Sequence, residues 1–294
     1  MTSITEHMED RYNRYGTNSQ RDSFNNNLKG LSVIELCITE LCTRKCSFCP
    51  RHNPEVYPNQ KLFMSFDTMK AIGSKCKDST YECDFHISGF GESLTHKGFF
   101  ELVDILRSYL PDNRIALTSN GDLLTDKVIS RIYDSGVSYM IISCYDGPDA
   151  KKKIEDMFAS CNIAEYEIRD LWFEPGETTE DLMDRSKFNN RSGAVNIEHL
   201  QAPVNMQREC NLPFYKLVLD WNGEALLCCN DWFRRHKGFG NINKNTLEEI
   251  WFGKEFTKTR ELLANKDRSG PACRYCNIDG TAVGTPSVKL LMNK

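Results

Sequence analysis

From Leu31 onward, short β-rich runs alternate with stretches whose apolar residues recur at helical spacing. "LSVIELCI" predicts a first strand. "SFDTMKAIGSKC" predicts a helix, with Ser65 as N-cap and Phe66, Met69 and Ile72 along one face. "DFHIS" predicts a second strand, stopped by "GFGES", and "GFFELVDILRSYL" an amphipathic helix ending near Pro111. "RIALTS" and "SYMIISC" predict strands three and four around the helix "TDKVISRIYDSG". Residues 148–159 read as a helix, "EYEIRDLWF" as a fifth strand, "TTEDLMDRSKF" as a short helix and "GAVNIEHL" as a sixth strand. Such alternation predicts α/β architecture around a parallel sheet. No G-x-G-x-x-G follows the first strand, which argues against dinucleotide binding.

The unusual residues collect after the strands. A run of thiols follows strand one, "GFGES" strand two, "SNGD" strand three and "SCYDG" strand four. Parallel strands in a barrel present their C-terminal ends on one face, where active sites assemble. Each polar loop alone is explained as a turn, but the thiol loop is not. From about Cys210 the pattern changes. Leu217–Leu219 and Ala225–Leu227 read as a β-hairpin about Asn222-Gly223, followed by a helix in "TLEEIWFGKEFTKTRELLA" and by "CRYC". The expected domains are a polar N-terminal arm (1–29), a barrel (30–200) and a small cysteine-bearing domain (201–294).

Composition changes the picture in two ways. With 40% apolar and 27% charged residues and a net charge of −4, nothing suggests a general electrostatic grip on nucleic acid. The arm has no apolar h-region and no apolar run spans a bilayer, so a cytoplasmic protein with no membrane partner is expected. Thirteen cysteines in such a chain point to metal or redox chemistry rather than disulfides. Cys37, Cys76, Cys83, Cys144 and Cys161 are scattered and read as core packing.

The clustered thiols carry the chemistry. Cys42, Cys46 and Cys49 form C-x3-C-x2-C. A structural zinc ion wants four ligands, and His52, three residues past Cys49, could be the fourth. An iron–sulfur cubane with three thiolates instead leaves one iron open to a chelating small molecule such as an amino-carboxylate. Cys210, Cys228, Cys273 and Cys276 make a complete four-thiolate set, for zinc or for one cubane; Cys229 is the competitor of Cys228.

C-x3-C-x2-C after a first strand, with Phe48 before the third cysteine, resembles the radical S-adenosylmethionine (radical SAM) family. "SGFGES" is similar to the family's Gly-Gly-Glu-like motif, with Phe90 between the glycines. The resemblance implies a partial (β/α)6 TIM-like barrel over residues 31–200. It implies that Gly89, Gly91 and Glu92 contact the methionyl group, and Asn120 and Ser143 the ribose. The G-x4-C hairpin, "NINKNTLEEIW" and closing C-x2-C resemble the twitch form of the SPASM domain, which implies one auxiliary [4Fe–4S] cluster, with Cys228 as ligand. The thiol spacing is similar to that of the twitch type that dehydrogenates 2-deoxy-scyllo-inosamine.

The implied activity is that of an oxidoreductase. Reductive cleavage of SAM gives a 5′-deoxyadenosyl radical, which takes hydrogen from a small polar substrate. A cyclitol or sugar hydroxyl is then oxidised, with the auxiliary cluster as electron acceptor and a flavodoxin or ferredoxin as reductant. Arg191, Arg169 and Tyr145 are the candidate catalytic residues, against a reading of each as an ordinary ion pair or packing residue. Two other functions compete. One is radical peptide modification, for which Cys144 or Cys229 would supply a hydrogen atom; the other is a non-enzymatic zinc-binding module.

Overall fold

The computed structural model describes residues 28–77, 83–178, 181, 188–195, 206–278 and 280. Nearly all of the expected N-terminal arm lies outside them. Among the described residues seven strands form one sheet: β1 (Val33–Leu36), β2 (Asp84–Ile87), β3 (Ile115–Ser119), β4 (Tyr139–Cys144), β5 (Tyr166–Asp170), β6 (Lys216–Leu219) and β7 (Ala225–Leu226). Their order is β5-β4-β3-β2-β1-β6-β7; all neighbours are parallel except β6 and β7. Helices α1 (Phe66–Lys77), α2 (Phe99–Tyr109), α3 (Asp126–Asp134) and α4 (Pro148–Ser160) follow β1 to β4 in turn. The expected α/β barrel-like architecture is therefore present.

Local chemistry sets the helix starts. The Ser65 hydroxyl accepts from the Thr68 N–H at 3.1 Å, and Thr125 caps α3 through the Val128 N–H. Beyond the four-residue α5 (Leu212–Tyr215), helices α6 (Leu247–Trp251) and α7 (Lys254–Ala264) complete the C-terminal part. Thr246 and Glu249 form a capping box at the start of α6.

The sixth parallel strand is not where the sequence placed it. Arg191–Gly193 forms a 3-10 turn, and residues 196–200 lie outside the described residues. β6 fills that place. Its one edge pairs with β7 as the expected hairpin, and its other edge pairs with β1, Val33 opposite Lys216. A hairpin strand always has a second edge, and here β1 uses it. Gly223 makes the hairpin turn at φ +82, where a Cβ would lie 2.6 Å from the Asn243 amide.

Side chains alternate strictly about the sheet. Ile34, Phe85, Leu117, Ile142, Ile168 and Leu217 are buried in the apolar core shared with the helices. Each contributes about 1.5–3 kcal/mol by leaving water. Glu35, His86, Thr118, Ser143, Arg169 and Lys216 line a cavity on the concave face instead. Strands buried on both faces are usually apolar throughout, so a polar set at alternate positions marks a functional interior. The Lys216 ammonium pairs with Glu35, which also accepts from the Ser88 hydroxyl at 2.6 Å. Burial raises the Glu35 pKa, but Lys216 and His86 outweigh it and hold the carboxyl at about 2. Among the described residues no helix is long and apolar enough to cross a membrane.

Breaking the buried pair leaves one uncompensated charge. Lys216→Met is expected to destabilise the fold by about 3–5 kcal/mol, seen as a lower urea midpoint. The double variant Glu35→Gln/Lys216→Met is expected to regain more than half of that loss. A double variant no better than the single one would show that the pair carries no such balance.

Candidate active site

The thiol loop after β1 is held by side chains rather than by a backbone ladder. The Asn59 amide accepts from the Cys42 N–H at 2.9 Å and donates to its carbonyl at 2.8 Å. Arg51 is buried; its guanidinium donates to the Phe90 carbonyl at 2.7 Å and to Glu40 at 2.6 Å. Cys42, Cys46 and Cys49 all line one cavity of about 360 Å3. Burial pushes all three thiols up, and the charges of Cys49 and Cys42 add to burial in taking Cys46 to about 12. His52 is exposed, its Nδ1 3.4 Å from the Lys45 carbonyl, and it is not among the cavity-lining residues. Among the described residues no three His, Cys, Asp or Glu side chains converge as ligands of a single metal ion would. Three thiols facing one cavity suit a multi-iron cluster with one iron left to a small-molecule ligand.

The "GFGES" loop lies against this array. Gly89 has φ +115, and a Cβ there would sit 2.3 Å from the Cys37 sulfur. A Cβ on Gly91 would sit 2.5 Å from the Thr39 carbonyl oxygen. Phe90, between the glycines, is buried edge-on to Trp232, its ring centroid 5.0 Å away. The Glu92 carboxylate accepts from the Asn120 N–H at 2.7 Å, the Ser119 hydroxyl at 3.1 Å and the Leu94 N–H at 3.2 Å. It is 3% exposed and has no cationic partner among the described residues, and burial pushes it up to about 7 despite those bonds. A buried carboxylate short of positive charge fits the ammonium of an amino-acid cofactor.

The remaining candidates converge on the same cavity. Phe48 stacks on Phe188 at 4.4 Å and lies 5.7 Å from Tyr145. The Ser143 hydroxyl bonds the Tyr145 phenol, whose ionisation burial suppresses. The Asn120 amide donates to the Thr43 hydroxyl at 2.8 Å. Arg191 donates to Asn230 at 3.2 Å, and its charge favours ionisation of Cys49. The Arg169 guanidinium meets Glu167 at 2.9 Å, whereas its neighbour Asp170 turns outward to Lys151 at 3.0 Å. His96 is buried and bonded to the Met64 carbonyl at 2.9 Å, so it serves structure.

Sequence reasoning missed Arg44, the central residue between Cys42 and Cys46. Its guanidinium pairs with Asp122 after β3 and Asp146 after β4, and lies 5.1 Å over the Tyr145 ring. Those two aspartates raise its pKa despite burial. The available signal was an arginine inside the array together with an aspartate in each of two loops on the same face.

The second thiols form a group apart. Burial and the charges of Cys229, Cys276, Cys273 and Cys210 raise the Cys228 thiol. Burial takes Cys210 to about 11. Cys229 differs: it lines the barrel cavity and packs with Cys37, Phe90 and Trp232. Cys228 thus faces the quartet and Cys229 the cavity. Cys37, Cys76, Cys83 and Cys144 are buried, with Cys161 half-buried. Cys144 is not among the cavity-lining residues.

Two family models match this chain. The radical SAM superfamily model matches residues 36–163, and the model of SPASM, an iron–sulfur cluster-binding domain, matches residues 210–277. The S-adenosyl-L-methionine-dependent 2-deoxy-scyllo-inosamine dehydrogenase of Niallia circulans is 26% identical over 256 residues, covering 85% of this chain and 94% of that protein. A crystal structure of BtrN in complex with AdoMet and 2-DOIA matches with a TM-score of 0.67 at 20% identity, over 86% of this chain and 96% of that one. The structure of anSMEcpe with bound AdoMet and a Cp18Cys peptide matches at 0.53 and 15% identity, over 90% and 96% of the two chains. The two structural likenesses are likenesses of fold.

Two outcomes follow from this geometry. Arg44→Ala is expected to lose the iron of the first array to a chelator at least tenfold faster than the native chain, with the second site unaffected. Arg44→Lys should be intermediate, because an ammonium cannot bridge two carboxylates as a guanidinium does. Equal rates in all three proteins would contradict the clamp. Glu92 binds a proton in the fold between its unfolded pKa and about 7, so its contribution to stability is full below about 4.5 and lost as pH rises through 7. Without SAM, Glu92→Gln should therefore gain about 3 kcal/mol relative to the native chain between pH 4 and pH 8. Parallel stability curves would contradict the raised pKa.

Proposed function

We propose that this chain, which belongs to the radical SAM superfamily and carries a SPASM domain, oxidises one hydroxyl of a cyclitol to a ketone. The reading rests above all on one observation: the three-thiol array and a polar barrel interior share a cavity, with the four-thiol group next to it through the adjacent Cys228 and Cys229. The curated relative supports the substrate class, since its name assigns it dehydrogenation of an aminocyclitol.

When bound, SAM and the two [4Fe–4S] clusters supply a 5′-deoxyadenosyl radical to take hydrogen from the carbinol carbon and an acceptor for the second electron. Everything else falls to the protein. Cys42, Cys46 and Cys49 hold the first cluster; Cys210, Cys228, Cys273 and Cys276 hold the second. Glu92 meets the SAM ammonium, and Gly89 and Gly91 let the backbone approach. Phe48, Asn120 and Ser143 bound the adenosine side. Arg191, between Cys49 and Asn230, donates hydrogen bonds to the substrate oxygen. As a permanent donor it does not take the hydroxyl proton; it stabilises the oxygen while that proton passes to solvent water. Arg169 with Glu167, Lys216 with Glu35, and His86 bonded to Thr118 at 2.8 Å offer donors and acceptors around a polyol. Tyr145 closes the cavity beside Phe48. The domains meet at β6, and we place the division near residue 200. The working compartment is the cytoplasm, with a flavodoxin or ferredoxin as reductant.

The test is anaerobic turnover with SAM, a reductant and cyclitols deuterated at single carbinols. One labelled position should pass its deuterium into 5′-deoxyadenosine, with a ketone formed in equal amount. Cys273→Ala/Cys276→Ala should still cleave SAM but form at least tenfold less ketone. Label transfer without ketone, or full ketone formation by the double variant, would overturn the proposal.

A further inference from the structure

Two arginines in the C-terminal part are almost completely buried, each about 1% exposed, and their surroundings differ. Arg260 donates to the Pro213 and Trp251 carbonyls and lies 3.8 Å over the Trp251 ring and 4.2 Å over Phe256. Aromatic faces offset its charge only in part, since burial still holds its pKa well below the usual arginine value. Among the described residues no aromatic ring and no carboxylate lies against Arg268. Its Nε donates to the Arg208 carbonyl at 3.1 Å, Nη1 to the Ile278 carbonyl at 2.9 Å and Nη2 to the Glu209 carbonyl. Those carbonyls flank Cys210 on one side and Cys276 on the other.

A buried guanidinium satisfied only by neutral carbonyls lacks its counter-charge. The nearby groups able to supply one are the thiols themselves. The three carbonyl partners of Arg268 lie within two residues of Cys210 or Cys276, so the hydrogen bonds fix the guanidinium beside the thiol group. We propose that Arg268 is the fixed counter-charge of the auxiliary cluster and makes that cluster easier to reduce. The inference rests on the reading above, in which the four-thiol site holds a cluster that accepts an electron. Four thiolates give that cluster a net negative charge, and reduction adds one electron and one further negative charge. A fixed cation beside it stabilises the reduced form more than the oxidised one. The electron comes from the substrate radical already required by the proposed oxidation. Arg268 is thus a positioning and tuning residue that touches no substrate.

The test is a redox titration of the reconstituted holoenzyme followed by electron paramagnetic resonance. The two clusters are distinguished by the change that SAM causes in the signal of the cluster it binds. Arg268→Gln keeps hydrogen-bond donors and removes the charge. It should lower the auxiliary potential by at least a tenfold change in the reduced-to-oxidised ratio, which is 59 mV for a one-electron couple. Arg268→Lys, which keeps the charge, should stay closer to the native value. An unchanged potential in Arg268→Gln, or the same shift in both variants, would overturn the inference. If Arg268→Gln loses the cluster, Arg208→Gln decides. Its guanidinium donates to the Cys276 carbonyl at 3.3 Å, which places a second cation beside the same thiols. A smaller downward shift there supports the inference, and no shift overturns it. Absence of a second cluster signal in the native holoenzyme would instead overturn the proposed electron acceptor, and this inference with it.

Discussion

Burial opposes thiolates, and every other feature of the site follows from that opposition. The fold places Cys42, Cys46 and Cys49 around one cavity where burial raises each pKa. Such thiols become anionic ligands only when a cationic centre shares them. The protein therefore cannot rely on the thiols to shape their own loop. Arg44, Arg51 and Asn59 hold it from outside, through ion pairs and hydrogen bonds to carboxylates and backbone groups rather than to the thiols. The adjacent glycine loop is then free to approach closely, because its two glycines present no Cβ to Cys37 or Thr39.

The same arrangement joins the two parts of the chain. Glu40 pairs with Arg51 from the thiol loop and with Arg234 from the C-terminal part, and Arg234 also reaches Asp220 at 2.9 Å. The Tyr57 phenol donates to Glu40 at 2.9 Å. This buried network sits between the first thiol array and the segment that carries Cys228 and Cys229. Buried charges of this kind are stable only as a complete set. The network therefore favours one mutual placement of the two thiol groups. β6 adds a covalent and hydrogen-bonded version of the same link, being at once a barrel strand and half of the C-terminal hairpin.

Much of this was legible in the sequence, for identifiable reasons. The loops after the first three strands held the cysteines, Glu92 and Asn120, and Ser143 lies near the end of β4; parallel topology brings these strand ends and loops to one face, so the residues meet at the cavity. Arg169 and Arg191 also reach it, while Asp170 takes the opposite side of β5, as the period of two demands. What the sequence did not disclose was long-range. Nothing local tells that Lys216 lies opposite Val33, so the sixth strand was sought in residues 193–200. The polar interior went unread because Glu35, His86, Glu167 and Lys216 are each ordinary in a strand taken alone. Arg44 and Arg268 act through partners 78 residues away and 60 residues away, respectively, beyond any local pattern.

The central claim is that the first array holds an iron–sulfur cluster with one iron reserved for SAM. Its most direct measurement is the electron paramagnetic resonance spectrum of the reduced, iron-loaded protein before and after SAM is added. The account predicts two cluster signals, of which one changes shape and g-values with SAM and the other does not. A spectrum indifferent to SAM, or a colourless protein holding zinc in place of iron, would contradict it.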